Sequence, residues 1–198
     1  TPPRLLAVGR FVAKKGPLKT IRSFDLLCRS LGPDMPQPIL WMVGDGPLLK
    51  QARALVRDLA LQECVRFLGV RSQAQVADLM RQVRGFVQHS MVAPDGDSEG
   101  NPVAVMEAQL SGLPVVATRH AGIPEVVLDG QTGLLVEEGD ETAMAQAMAR
   151  LVQDPALAAR LGDRGRQRVQ EHFTIKHHFQ QVSQLLHQVM QDRSESLS

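Results

Sequence analysis

The chain has 198 residues, with 22 Lys or Arg and 21 Asp or Glu, so its formal net charge is +1 at pH 7. At 43% hydrophobic and 22% charged residues it has the composition of one ordinary globular domain, which excludes a disordered, collagen-like or disulfide-stapled chain. The near-zero charge gives no broad electrostatic case for nucleic acid, and the two cysteines, Cys28 and Cys64, fit a reducing compartment.

In the first half of the chain, short apolar runs alternate with segments of helical periodicity. Strands are predicted at residues 5–9, 39–44, 65–69 and 85–89. Helices are predicted at residues 17–31, 47–61 and 72–82, with Ser72 as the N-cap of the last. Pro33, Pro36 and Pro38 prevent the first helix from continuing.

The second half keeps this alternation and then becomes helical throughout. Asn101 is predicted to cap a helix that has Pro102 as its first residue and ends at Gly112. Further strands are predicted at 113–118 and 132–136, with a short helix at 123–128 between them. Helices follow at 141–153, 156–171 and 175–191, the last capped by Thr174.

Apolar runs of four to six residues, each followed by a helix, are typical of parallel strands buried on both faces. The chain is therefore expected to form a single Rossmann-like, doubly wound parallel sheet of about six strands over residues 1–198, with helices on both faces and a helical C-terminal tail. In such folds ligands bind at the carboxyl ends of the strands, in the strand-to-helix loops.

The loop after the first strand, residues 9–16, is bracketed by glycines and contains Arg10, Lys14 and Lys15. Cations at a strand's carboxyl end and beside a helix N-terminus suit a phosphate or diphosphate. An ordinary solvated basic turn is the alternative.

Two other loops have weaker signals. Gly44-Asp45-Gly46-Pro47 resembles a dinucleotide fingerprint only in part, because Leu49 stands where a third glycine would be needed, so a structural turn is expected. Asp95, Asp97 and Glu99 are spaced like the opening of a calcium loop, but Met106 occupies the twelfth position, so a solvated acidic loop is favoured over a metal site for Asp95 and Asp97.

Glu99 and Glu107 flank the N-terminus of the helix that follows this acidic loop. The N–H groups of Val103 and Ala104 offer positive potential to a phosphate, and carboxylates are strong acceptors for sugar hydroxyls. Because the neighbours of Glu107 are apolar around the helix, this carboxylate is expected to be mostly buried. A buried carboxylate needs hydrogen-bonding partners.

Together these segments resemble the C-terminal, nucleotide-sugar-binding domain of a GT-B fold glycosyltransferase of the retaining group 1 class (family 4). The matching segments are VGRFVAKKG (8–16), MVGDGP (42–47), VRFLG (65–69), EGNPVAVMEAQLSGLPVVAT (99–118) and GIPEVVLDGQTGLLV (122–136). The spacing from Glu99 to Glu107, followed by Gly112 and Pro124-Glu125, is the most specific part of the match.

The resemblance implies roles for individual residues. Arg10 and Lys15 would contact the donor diphosphate, with Lys14 as an alternative to Lys15; Glu99 would contact the transferred sugar and Glu107 the ribose. The further substrate contacts implied are the stretch Gly100, Asn101, Pro102 and Val103 for the diphosphate, and Val70 and Arg71 for the base. Asn101 departs from the bulky residue of many relatives, so the sugar pocket is expected to differ.

The resemblance also implies the reaction and the partners. A UDP-, GDP- or ADP-sugar would donate its sugar, with retention and without a metal or other cofactor. The acceptor, a saccharide or a lipid-linked molecule, would bind to an N-terminal half outside this chain. This chain alone is therefore expected to be an inactive fragment. The expected location is cytoplasmic, with peripheral association at the inner membrane face as a further expectation. Alternatives are a non-catalytic nucleotide-sugar-binding module and a GT-B sugar-nucleotide epimerase.

Other charged residues are expected to be structural. His89 and His120 follow strands and are candidates for lining the cleft, but a packed or solvent-exposed position is favoured for both. The basic run Arg160, Arg164, Arg166 and Arg168 is expected to be a solvated helix face, because Asp163 and Glu171 lie among these cations.

Overall fold

The computed structural model describes residues 2–98 and 102–173, and within them it contains a six-stranded parallel sheet in the order β3-β2-β1-β4-β5-β6. The strand order reverses between β1 and β4, which is where a doubly wound sheet opens a crevice at its carboxyl edge. Every predicted strand is present. The strands are β1 (Arg4–Val8), β2 (Ile39–Val43), β3 (Val65–Gly69), β4 (Gly85–Gln88), β5 (Val115–Thr118) and β6 (Gly133–Val136).

Helices connect successive strands and cover both faces of the sheet, so the predicted fold class is confirmed. The helices are α1 (Pro17–Ser30), α2 (Leu49–Asp58), α3 (Gln73–Met80), α4 (Val103–Leu110), α5 (Ile123–Val126), α6 (Glu141–Gln153) and α7 (Pro155–His172). A short 3-10 turn, Ala13–Lys15, precedes α1. Across residues 2–98 and 102–173, no helix combines the length and apolarity that a bilayer span requires.

The hydrophobic core consists of two layers, one on each face of the sheet. Leu5 packs with α1, α2 and α6 in one layer, while its neighbour Leu6 packs with α3, α4 and α5 in the other. Val87 and Phe86 divide in the same way on β4. Because successive side chains of a strand point to opposite faces, an unbroken apolar run serves both layers.

The structure confirms one of the predicted helix caps and corrects the start of another helix. Ser72 caps α3 as expected, since its Oγ accepts from the N–H of Gln75 at 3.3 Å while the Gln75 side chain accepts from the N–H of Ser72 at 3.0 Å. Helix α4 is a correction: Pro102 is its N-cap, with ψ at 55°, and Val103 is its first residue. The cap assigned to Asn101, the cap assigned to Thr174 and the helix at 175–191 lie outside the described residues.

Helices α2 and α4 end in the same hydrogen-bonding pattern with different residues. After α4, Gly112 has φ at +76° and donates to Gln109, while Leu113 donates to Ala108. After α2, the corresponding left-handed residue is Ala60, with φ at +57°. Its N–H donates to the Arg57 carbonyl, and the N–H of Leu61 donates to the Val56 carbonyl. Both ends are Schellman motifs, in which glycine is the favoured left-handed residue.

Candidate functional site

The loops that follow β1 and β4 meet at the carboxyl edge of the sheet. The N–H of Met91 donates to the carbonyl of Lys14 at 3.0 Å. The Lys14 ammonium lies 3.0 Å from the Asp97 carboxylate and 3.4 Å from the Ser98 carbonyl oxygen. The cationic loop after β1 thus contacts the acidic loop after β4, and we call this place at the sheet edge the β1–β4 crevice.

The cations of the β1 loop differ in their surroundings. Arg10 is exposed, and its side chain forms no hydrogen bond or ion pair with any residue in the described part of the chain. Lys15 is half-buried, and its aliphatic stem passes close to Gly9. Lys14, the alternative to Lys15 in the sequence interpretation, directs its charge to Asp97. The loop thus presents an exposed guanidinium on a fixed backbone, because the N–H of Phe11 donates to the Asp45 carbonyl at 2.9 Å.

The Gly44–Pro47 loop packs against the backbone of the loop that follows β1, so the structural-turn interpretation is confirmed. A side chain at Gly44 would place its Cβ 2.0 Å from the Gly9 carbonyl oxygen, and the φ of Gly44 is +131°. The N–H of Leu48 donates to the Phe11 carbonyl at 2.9 Å. Only glycine permits this close approach of two backbones.

Glu107 faces α3 across the end of the sheet. Its Oε1 accepts a hydrogen bond from the Gln73 amide at 3.1 Å, and the residue is half-buried rather than mostly buried as the sequence had predicted. Gln73 is the first residue of α3 and follows the loop of Val70 and Arg71. In that loop the Val70 side chain is 70% exposed and the Arg71 guanidinium donates to the Val70 carbonyl at 3.1 Å. Sequence reasoning missed Gln73, although the Ser72 cap places it in the first turn of α3.

The segment before α4 is described only in part. Pro102 is buried, and Val103 is exposed at the first position of α4. Pro102 accepts the N–H of Met106 at 3.0 Å, so the helical pattern begins there. Glu99, Gly100 and Asn101 lie outside the described residues, so their assigned roles stay predictions.

The acidic loop is exposed, as the sequence predicts. Asp95 accepts the N–H of Asp97 at 3.1 Å, and Asp97 pairs with Lys14. Across residues 2–98 and 102–173, no three His, Cys, Asp or Glu side chains cluster in a way that could hold a metal ion.

His89 and His120 are both buried, in agreement with a packing role. The Nε2 of His89 accepts the N–H of Gly139 at 3.0 Å. Burial, reinforced by the charge of Lys19, lowers the pKa of His89 from 6.5 to about 4. The Nδ1 of His120 lies 2.5 Å from Oε1 of Glu138, a residue that the sequence analysis did not single out.

The basic run on α7 is a solvated face only in part. Arg160, Arg164 and Arg166 are exposed, as expected. Arg168 is a correction: it donates to the carbonyls of Glu125 and Val126 at 2.8 and 3.2 Å, and its guanidinium carbon lies 5.6 Å from the Phe173 ring centroid. It therefore ties α7 to α5.

Residues 1–168 match the family model described as "Glycosyl transferases group 1". The chain belongs to the group 1 glycosyltransferases. Among its relatives, this group 1 chain is 34% identical over 93% of its length to the amylovoran biosynthesis glycosyltransferase AmsK of Erwinia amylovora, and it spans 44% of that protein. It is 35% identical over 83% of its length to a GDP-mannose-dependent phosphatidylinositol monomannoside mannosyltransferase of Mycolicibacterium smegmatis, and it spans 42% of that protein.

A similar fold appears among solved structures. The crystal structure of Anabaena Alr3699/HepE in complex with UDP and glucose superposes with a TM-score of 0.78 over 94% of this chain and 48% of that one, at 23% identity. This likeness shows the fold of this domain. The chain thus spans about half the length of the proteins it matches.

Proposed function

We propose that this chain is the donor-binding half of a sugar-transferring enzyme and binds a nucleoside diphosphate sugar in the β1–β4 crevice. The observation that carries the proposal is the junction of the two loops. Lys14 pairs with Asp97, while the Arg10 guanidinium stays exposed and has no ion-pair partner among residues 2–98 and 102–173. An exposed guanidinium on a loop whose backbone is held by hydrogen bonds, at the topological reversal of a parallel sheet, suits a diphosphate.

We assign the diphosphate, the sugar, the ribose and the base of the donor to different residues along the carboxyl edge of the sheet. Arg10 and Lys15 bind the diphosphate together with the backbone of Gly100, Asn101, Pro102 and Val103. Glu99 contacts the sugar, and Glu107, held by Gln73, accepts the ribose hydroxyls. The base lies over Val70 and Arg71, next to the first turn of α3. Each role follows the family resemblance and remains a proposal for this chain.

The proposed reaction forms a bond between an acceptor hydroxyl oxygen and the anomeric carbon of the donor sugar. The bond from that carbon to the diphosphate breaks on the same face, so configuration is retained, and the hydroxyl proton passes to the departing phosphate oxygen. Negative charge grows on the leaving group. Fixed cations and the N–H groups of α4 stabilise that charge, so we propose that no metal is required.

The acceptor is proposed to bind to a second half that precedes this chain. The lengths of the relatives support this arrangement, since this chain spans less than half of each of the two curated relatives. We expect the 198-residue chain alone to bind donor without transferring sugar. A cytoplasmic enzyme that meets a saccharide or a lipid-linked acceptor at the inner membrane face is the proposed setting. UDP in the Anabaena structure and GDP-mannose in the mycobacterial name support a nucleoside diphosphate donor.

Calorimetry with UDP, GDP and ADP tests the proposal on the folded chain. One of the three is expected to bind, and Glu107→Ala is expected to weaken it by about 10-fold to 100-fold, because hydrogen bonds to a carboxylate are worth about 1.5–3 kcal/mol. Glu63→Ala, which removes an exposed carboxylate before β3, is the matched control and should bind like the wild type. If the folded chain binds none of the three nucleotides, the proposal is wrong.

Transfer itself needs the complete enzyme. We expect the chain joined to its natural N-terminal half to attach the donor sugar to an acceptor. Conversion of a free nucleotide sugar without change of mass would instead indicate an epimerase. Nucleotide binding with neither reaction would indicate a non-catalytic module.

A further inference from the structure

The loop after β4, residues 89–98, has an exposed surface and is held mainly by hydrogen bonds. We call it the β4 loop. On one side it meets the β1 loop through Met91 and Asp97, which both bond to Lys14. The loop is buried at His89, Ser90 and Ala93 but exposed at Val92 and over residues 94–98, so apolar burial does not fix its outer part. Its position therefore depends on the polar contacts at its other side.

Those contacts come from the ends of β5 and β6. The Thr118 hydroxyl donates to the Ser90 carbonyl at 2.5 Å. The N–H of Val92 donates to Oε2 of Glu138 at 3.0 Å. Together with the bond from Gly139 to His89, these contacts attach the β4 loop to two strand ends that bear none of the proposed donor contacts.

Glu138 is the shared member of this arrangement. One carboxylate oxygen accepts from Val92 and the other from Nδ1 of His120, so the carboxylate is fixed from two sides. His120 is 3% exposed and the Glu138 side chain is 34% exposed. Burial by itself raises the pKa of Glu138, but the hydrogen bonds from His120 and Val92 outweigh it, and the net pKa is lowered. The carboxylate is thus held in its charged, accepting form.

We propose that His120 and Glu138 are a positioning pair that holds the β4 loop against the β1 loop and thereby sets one wall of the β1–β4 crevice. The part of this inference that concerns donor binding rests on the proposed function. The part that concerns the loop rests on the contacts alone. His120 orients the carboxylate, Glu138 holds the backbone at Val92, and the far end of the same loop reaches Lys14 through Asp97.

Amide hydrogen exchange tests the loop without any ligand. In Glu138→Ala, exchange at Val92 and at Met91, whose N–H donates to the Lys14 carbonyl, is expected to accelerate by about tenfold or more, while exchange at Leu6 in the central strand stays unchanged, because local opening does not require global unfolding. Glu138→Gln is expected to restore slow exchange, since its amide oxygen accepts from Val92 and its nitrogen donates to Nδ1 of His120 when that imidazole is in the tautomer protonated at Nε2. Glu137→Ala is the matched control, because Glu137 is 75% exposed and pairs with Arg119 instead.

Each exchange outcome decides the loop contact. Unchanged exchange at Val92 in Glu138→Ala overturns the proposal, as does equal acceleration in Glu137→Ala. Acceleration at Leu6 by the same factor as at Val92 also overturns it, because it would show that Glu138 supports the whole fold and not this loop.

The role of Glu138 in donor binding is tested by measuring the Kd of whichever of UDP, GDP and ADP the wild type binds. Glu138→Ala is expected to raise the Kd about 5-fold to 20-fold, with Glu138→Gln close to wild type. A released loop with an unchanged Kd overturns the role in donor binding. If the wild type binds none of these nucleotides, the proposed function fails, while the exchange measurements still decide the loop contact.

Discussion

The imidazole of His89 is fully buried behind β4 and accepts the N–H of Gly139. Its pKa falls from 6.5 to about 4, mainly through burial. Between those two pH values the unfolded chain binds a proton that the folded chain does not, so the free energy of unfolding falls as the pH is lowered from about 6.5 to about 4. The loss is on the order of 2–3 kcal/mol.

Replacing His89 is expected to remove this pH dependence. Urea unfolding of His89→Gln should show a flatter slope between pH 4.5 and pH 6.5 than the wild type does, whatever its absolute stability. His172→Gln is the control, because the side chain of His172 is exposed on α7. Parallel slopes for wild type and His89→Gln would contradict the assignment.

Individual residues show how much of the candidate site could be predicted from the sequence. Arg10 and Glu107 could be proposed as site residues because each lies in a motif whose residues are close in sequence. Gln73 and Glu138 were missed because their roles arise from contacts with other elements, 34 residues away to Glu107 and 46 residues away to Val92. Glu107 was expected to be mostly buried because α4 is apolar all round, but the side chain that it contacts on α3, Gln73, is itself exposed, so this side of α4 stays partly open to solvent.

At the level of elements, the end of α2 holds a residue in a conformation that alanine disfavours. Ala60 is exposed, has φ at +57° and occupies the left-handed position of a Schellman motif. Ala60→Gly is expected to raise the free energy of unfolding by about 1 kcal/mol, and the melting temperature by about 2–4 °C, because glycine adopts this conformation without steric cost.

The control for this substitution is the same change inside a helix. Ala159→Gly, at an exposed position of α7, is expected to lower the free energy of unfolding by about 1 kcal/mol. Thermal and urea unfolding measure both variants. If Ala60→Gly also lowered the free energy of unfolding, relief of the left-handed conformation at residue 60 would not be the dominant effect.

Elements were predicted well where one physical signal dominated. The strands followed from apolar runs, and α3 followed from its Ser72 cap. The start of α4 was wrong by one residue, because the Asn101-Pro102 pair allows either residue to be the cap. The ψ of 55° at Pro102 excludes it from the helix, and the sequence does not specify that angle.

At the scale of the whole molecule, α7 is hydrogen-bonded to α5, which lies in the connection between β5 and β6. Arg168 donates to two backbone carbonyls of α5 that lie 42 and 43 residues earlier in the chain. Arg168→Ala is expected to lower the free energy of unfolding by about 1–3 kcal/mol, because it leaves these carbonyls without a charged donor. Urea denaturation measures the effect.

Arg166→Ala is the matched control, because Arg166 is an exposed arginine of the same helix. Its effect is expected to stay within about 0.5 kcal/mol, as is usual for surface substitutions. Equal losses in the two variants would indicate a general effect of charge on α7 rather than the bonds of Arg168.

The sheet order places the β1–β4 crevice over the junction of two half-sheets, β1–β3 and β4–β6. This junction has a short ladder: β1 is in register with β4 at Leu5 and Leu6, whereas it pairs with β2 over its whole length from Arg4 to Val8. The donor that we propose for the crevice would touch loops from both half-sheets and would act as a non-covalent cross-link between them. If it binds only the folded chain, it raises the free energy of unfolding by RT ln(1 + [L]/Kd).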